Sequence, residues 1–260
     1  MNFKMKTLVA ATLMAVTMSG AANAATNGAT GNSSVIFSAW DDNGSYSLDL
    51  GTYLNDFIGA DNAANISKAG TVPNTSFAGA VAVDGTLFDI KLTGFNLTSG
   101  LWNLAAADTS GRQRLLLSEI APLAPTNINV KNSANSLNTY VGTGAAASTV
   151  TGTVGTASDP YYANSAVWGD GIGGQGITGT ANALGASSNL VVAWATSATA
   201  GNAAGFANLT AGGKDVIAFT HVVGADTYLT IATAPVPEAN TWAMMLAGLG
   251  LLGFVARRRS

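Results

Sequence analysis

The chain has 260 residues, with 11 Lys and Arg against 14 Asp and Glu, one His and no Cys. The missing thiols exclude disulfide staples, thiol catalysis and cysteine-based metal centres, and a single His excludes a multi-histidine metal cluster. Five basic residues lie at the extreme ends (Lys4, Lys6, Arg257, Arg258 and Arg259), leaving 6 basic and 13 acidic residues over 25–234, a net charge of −7 that argues against nucleic acid and against anionic lipid as partners.

The first element reads as an export signal. Lys4 and Lys6 precede an apolar run from Thr7 to Met18, Ser19 and Gly20 break the run, and Ala22-Asn23-Ala24 supplies the small-x-small pattern that signal peptidase accepts. Cleavage is expected between Ala24 and Ala25. About a dozen apolar residues suit a signal peptide and fall short of the roughly 20 that span a bilayer. Residues 1–24 are thus expected as signal peptide. Residues 25–234 form an exported domain of a size that one β-sandwich or barrel fills.

That domain reads as strands separated by turns. Val35 to Trp40 is apolar and β-prone, Asp41-Asp42-Asn43-Gly44 is turn chemistry, and Ser45 to Leu50 continues with Tyr46, Leu48 and Leu50 in alternation. Thr52 to Gly59 alone suggests a helix, short, with Tyr53, Leu54, Phe57 and Ile58 on one face. A second hairpin is expected over Ala80 to Leu92 about Asp84-Gly85. A third runs from Leu101 to Leu104, through a polar turn at Asp108-Thr109-Ser110-Gly111, to Arg112–Ser118. Leu190 to Thr196 is a further strand. Asp215 to Val223 and Thr227 to Thr233 form the last pair, joined at Gly224-Ala225-Asp226. Between them, Val141 to Ser188 is crowded with Gly, Ala, Thr, Ser and Asn, so it reads as a long irregular insertion. Tyr161, Tyr162 and Trp168 argue that it packs in part on the sheet. The expected fold is mostly β: an antiparallel sandwich or jelly-roll-like domain with that irregular segment.

Motifs with chemistry are few. Gly171-Ile-Gly-Gly-Gln-Gly176 has dinucleotide-fingerprint spacing but no strand before it and no helix after it. Asp170-Gly-Ile-Gly-Gly is a single copy of a calcium-type glycine repeat, which needs stacked turns. Asp41, Asp42 and Asn43 are too few for calcium, which takes six to eight oxygens, and read as an Asx-stabilised turn. His221, the only candidate histidine base, sits in a strand with Ile217, Phe219 and Val223 on its face, and no Gly-x-Ser-x-Gly accompanies it. It reads as structural. Trp40, Trp102 and Trp194 lie in strands and are expected in the core. Trp168 is the candidate glycan contact. Catalytic residues, metal ligands and cofactors are not assigned.

The C-terminus is the most specific part. Ala239 to Ala256 carries no charge, and as a helix it would reach about 27 Å, close to the bilayer's hydrocarbon thickness. Arg257, Arg258 and Arg259 follow and would stay cytoplasmic, with Trp242 at the outer interface. Val236-Pro237-Glu238, then the apolar stretch through Met245 to Gly253, then the terminal arginines, together resemble the PEP-CTERM sorting domain. The family motif usually reads Pro-Glu-Pro, and here Ala239 stands last. Val35 to Gly51 also resembles the start of uncharacterised PEP-CTERM proteins, which carries no activity with it.

This resemblance implies processing by exosortase, a membrane-embedded, transpeptidase-like cysteine protease, in a Gram-negative host that makes extracellular polysaccharide. Residues 235–260 would form the sorting signal, with a transmembrane helix over about 239–256 that holds the protein transiently in the inner membrane. The enzyme would cut near Pro237-Glu238 on the outer side and release a mature protein without its helix. The expected function is a non-catalytic surface or extracellular matrix protein associated with exopolysaccharide in a biofilm or floc. The alternatives are a secreted carbohydrate-active enzyme using a carboxylate pair, with Glu119 or an aspartate in that role, and a self-associating structural protein.

Overall fold

The computed structural model describes residues 33–59, 86–111, 113–118, 125–142, 153–156, 158–159, 162–163 and 181–234. The signal peptide, Val81 to Gly85, Glu119, Trp168, the glycine-rich stretch 170–176 and the apolar tail 239–256 lie outside these residues. Among the described residues no helix is long and apolar enough to cross a membrane.

Strand β1 (Ser34–Trp40) turns into β2 (Gly44–Tyr53) as the turn chemistry requires. The Asp41 carboxylate accepts the Asn43 and Gly44 N–H groups at 2.8 and 2.9 Å, which is the Asx-turn arrangement. Thr52 and Tyr53 stay in β2, so the expected helix shortens to α1 (Leu54–Ile58), which buries Leu54, Phe57 and Ile58. β3 (Thr86–Lys91) follows, then β4 (Leu101–Asp108) and β5 (Arg114–Ser118), the expected hairpin with a longer first arm.

Next comes α2 (Asn127–Gly142), which corrects the expectation of a single short helix. Asn, Ser and Thr fill it and are poor helix formers, so its stability comes from docking rather than propensity. Val130, Ala134, Leu137 and Val141 recur at helical spacing, and with Tyr140 they lie fully or almost fully buried against the sheet. The Tyr140 hydroxyl and the Ser47 hydroxyl hydrogen-bond across that interface.

Within the expected irregular segment, β6 (Thr153–Thr156) pairs with β2, and Tyr162 is buried with its hydroxyl donated to the Asp41 carbonyl. The segment therefore packs on the sheet there. β7 (Asn182–Ala183), β8 (Ser187–Trp194), β9 (Gly205–Asn208), β10 (Thr210–Ala211), β11 (Lys214–Val223) and β12 (Asp226–Thr233) complete the order.

The strands are antiparallel and join in one path, β3-β12-β11-β8-β5-β4-β1-β2-β6, rather than in two separate sheets. β8 makes the join. Its first residues pair with β11, and its last pair with β9 on one side and β5 on the other. Leu209 bridges the switch: its N–H donates to the Leu190 carbonyl and its carbonyl accepts from Val216. The path curls like a half-barrel and brings β2 and α1 against the β3 end. Tyr46 of β2 meets Phe95 just beyond β3 with ring centroids 5.1 Å apart, and donates its hydroxyl to the Thr93 carbonyl. Phe57 of α1 stacks on Phe88 of β3.

Two cores result. Val35, Phe37, Tyr46, Leu48, Trp102 and Leu116 fill the concave side, while Ile36, Trp40, Leu115, Leu117 and Ala193 face α2. The central strands β1, β4 and β5 are buried on both faces, and their apolar runs are broken by residues such as Ser38, Asn103, Asp108 and Arg114, which are buried as well. Ala105, Ala107, Ala134 and Ala193 are small enough to let α2 approach the sheet closely.

Candidate functional site

Trp40, Trp102 and Trp194 are 2, 0 and 6% exposed, so the core reading of all three is correct. The Trp102 indole donates to the Ala183 carbonyl at 3.0 Å. None of them is available to stack on a sugar ring.

Titratable and aromatic side chains do gather on the convex face of β3, β12 and β11. The Gly224-Ala225 turn sets the register, placing His221 opposite Tyr228 and Phe219 opposite Thr230. On the far side of β12, Asp89 lies opposite Thr230 and Lys91 opposite Tyr228. Alternation along each strand sends Val216, Ala218, Leu229 and Ile231 into the core and leaves this set on the opposite face, where Thr230 is itself buried. His221 is half-buried, as are Phe219, Tyr228 and Asp89, while Lys91 is exposed and Asp226 partly so.

A hydrogen-bonded chain runs through the set. The Thr230 hydroxyl donates to Asp89 at 2.8 Å, so it is left to accept from His221 Nδ1 at 3.1 Å. This assigns a proton to Nδ1. His221 stacks on Tyr228 at 5.5 Å and tilts against Phe219 at 5.7 Å. Lys91 bridges to Asp226 at 2.7 Å, and that carboxylate raises the Lys91 pKa above its ordinary value. His221 is thus held by its neighbours at a half-exposed surface. Among the described residues no group of three or more His, Asp or Glu side chains is placed to hold a metal ion. The face offers alternating donors, acceptors and aromatic rings. Thr230 was not singled out from the sequence. The two-residue turn fixes its place beside His221, so counting outward from that turn would have found it.

The second functional element is the chain exit. β12 ends at Thr233, which pairs with Val216, and the Ala234 N–H donates to the Asp215 carbonyl at 2.7 Å. Pro235 has no N–H to continue the ladder. Ala22, Ala24 and Ala25 of the signal peptidase site, Val236, Pro237 and Glu238, and Arg257 to Arg259 lie outside the described residues.

The fold is an antiparallel β domain whose last described residue, Ala234, is still hydrogen-bonded to the sheet. Residues 235–259 match the family model of the PEP-CTERM protein-sorting motif. The chain carries that motif, which indicates export and exosortase-dependent sorting to the cell surface in a Gram-negative bacterium. Neither a curated protein nor a solved structure matches the chain.

Proposed function

We propose that the mature domain is a non-catalytic surface or matrix protein that associates with the host's extracellular polysaccharide after exosortase sorting. The sorting motif at 235–259 carries this reading, because it delivers the domain to the compartment where polysaccharide is the main material. Two features support it. The domain carries a low charge density, with little to repel a glycan, and the convex face presents His221, Tyr228, Asp89 and Lys91 to solvent. The tail holds the precursor at the inner membrane until processing, and the released domain then partitions into the matrix.

The test uses host cells unable to make exopolysaccharide. The mature protein should move from the matrix fraction to the spent medium. Unchanged retention on such cells would show that something other than polysaccharide holds it.

A further inference from the structure

The sorting segment begins at residue 235, and Ala234 is tied to Asp215 by the last hydrogen bond of the ladder. No spacer separates the folded domain from its sorting motif. An extended chain covers at most about 3.3–3.6 Å per residue, so the covalent chain allows at most about 11 Å between Ala234 and Pro237.

Beside the exit, β11 does not begin at Asp215. Lys214 pairs with Ala211, and Gly212 and Gly213 close the hairpin beyond it. β12 is antiparallel to β11, so the chain leaves toward this tip. The hairpin overhangs Asp215 by about two residues, or about 7 Å at the rise of a strand. A cleft that grips Pro237-Glu238 therefore works within about 11 Å of Ala234, at the end of the domain that carries Gly212, Gly213 and Lys214. The tip is also slim. Gly212 and Gly213 sit at φ +58° and +77°, with open space around both, and Lys214 is exposed.

We propose that the tip of the β10–β11 hairpin is a contact surface for the membrane-bound sorting enzyme. This rests on exosortase sorting of the chain and adds the domain's own part in it: the enzyme meets the folded domain at this tip, and a bulkier tip obstructs it. The Asn208 amide donates to the Asp215 carboxylate at 3.0 Å and ties the base of the hairpin to the end of β9.

The experiment follows precursor conversion of the full chain by pulse-chase in its own host. One variant inserts about six Gly/Ser residues between Gly212 and Gly213. A second carries Lys214→Trp, a bulky change at an exposed position. Each is also combined with a Gly/Ser spacer of about ten residues after Ala234, whose typical reach is about 17 Å. Both tip variants should convert at least about five-fold more slowly, and the spacer should restore each to within about two-fold of the unaltered chain. Wild-type conversion by both tip variants overturns the proposal. So does slowing that the spacer fails to rescue in both, which is the behaviour of a misfolded domain. If the unaltered chain is not converted at all, the sorting reading falls and takes this one with it.

Discussion

Replacing Arg114 with Leu probes the middle of the sheet. Arg114 opens β5, and its guanidinium donates to the carboxylate of Asp108 at the end of β4, with the two side chains 6 and 2% exposed. Asp108 also accepts the Ser110 N–H at 2.8 Å and the Ser110 hydroxyl at 2.6 Å. Burial alone would push the Asp108 carboxyl up, but the hydrogen bonds from Ser110 and Arg114 outweigh it and hold the group below its ordinary value. Arg114→Leu leaves a buried carboxylate without its cation. Breaking a buried pair from one side costs about 3–5 kcal/mol. At about 2–4 °C per kcal/mol for a domain of this size, the midpoint should drop by about 6–20 °C.

Adding Asp108→Asn removes the stranded charge and keeps acceptors for Ser110, so the double variant should recover more than half of the loss. Urea and thermal unfolding followed by circular dichroism at pH 7 and pH 3 measure both effects. Asp108 is more acidic folded than unfolded. Its contribution to stability is therefore present above the unfolded value of about 3.9 and is lost as pH falls from there toward the lower folded value. The gap between wild type and Arg114→Leu should narrow at pH 3. A single variant within about 1 kcal/mol of wild type at pH 7, or a double variant worse than the single, would refute the reasoning.

Asp49 has the opposite sign. Burial, partly offset by the Gly51 N–H and Ser34, pushes its carboxyl up, so ionising it costs stability in the folded state. Asp49→Asn should raise the midpoint at pH 7, and the gain should fade as pH drops through the raised folded value; a destabilised variant at pH 7 would contradict this. Gly205→Ala would put a Cβ at 2.1 Å from Trp194 Cε2, so overpacking should cost about 1–3 kcal/mol in denaturant unfolding, and a neutral result would mean that the indole moves freely. Pro237→Ala with Glu238→Ala should leave unprocessed precursor in the inner-membrane fraction, and normal release would show that these residues do not direct processing.

The hairpins were legible because their turns are local. Asp41 to Gly44 and Gly224-Ala225 each fix a register within a few residues, and β1–β2 and β11–β12 follow from them. The helix α2 was missed although Val130, Ala134, Leu137 and Val141 carry its spacing, because the Asn, Ser and Thr between them match the composition of a loop. Only docking against Ala105, Ala107 and Leu117 makes that stretch helical, and the sheet that supplies those residues is non-local. The single curled path was hidden for the same reason: β8 reads as one strand, and nothing within it tells that β11 takes its first half and β5 its second. At the convex face, His221 was visible as a residue, but its partner Thr230, and Asp89 to which Thr230 donates, lie 9 and 132 positions away in the chain. The sorting motif was legible because it is encoded in consecutive residues, 235–259, and needs no fold to be recognised.

Association with polysaccharide is tested most directly by co-sedimentation of the mature domain, Ala25–Ala234, with the host's own extracellular polysaccharide over a range of protein concentrations. Saturable pelleting that weakens when His221 and Tyr228 are both replaced by Ala is the predicted result. A domain that stays in the supernatant at every concentration would contradict a matrix role and point instead to a protein partner at the cell surface.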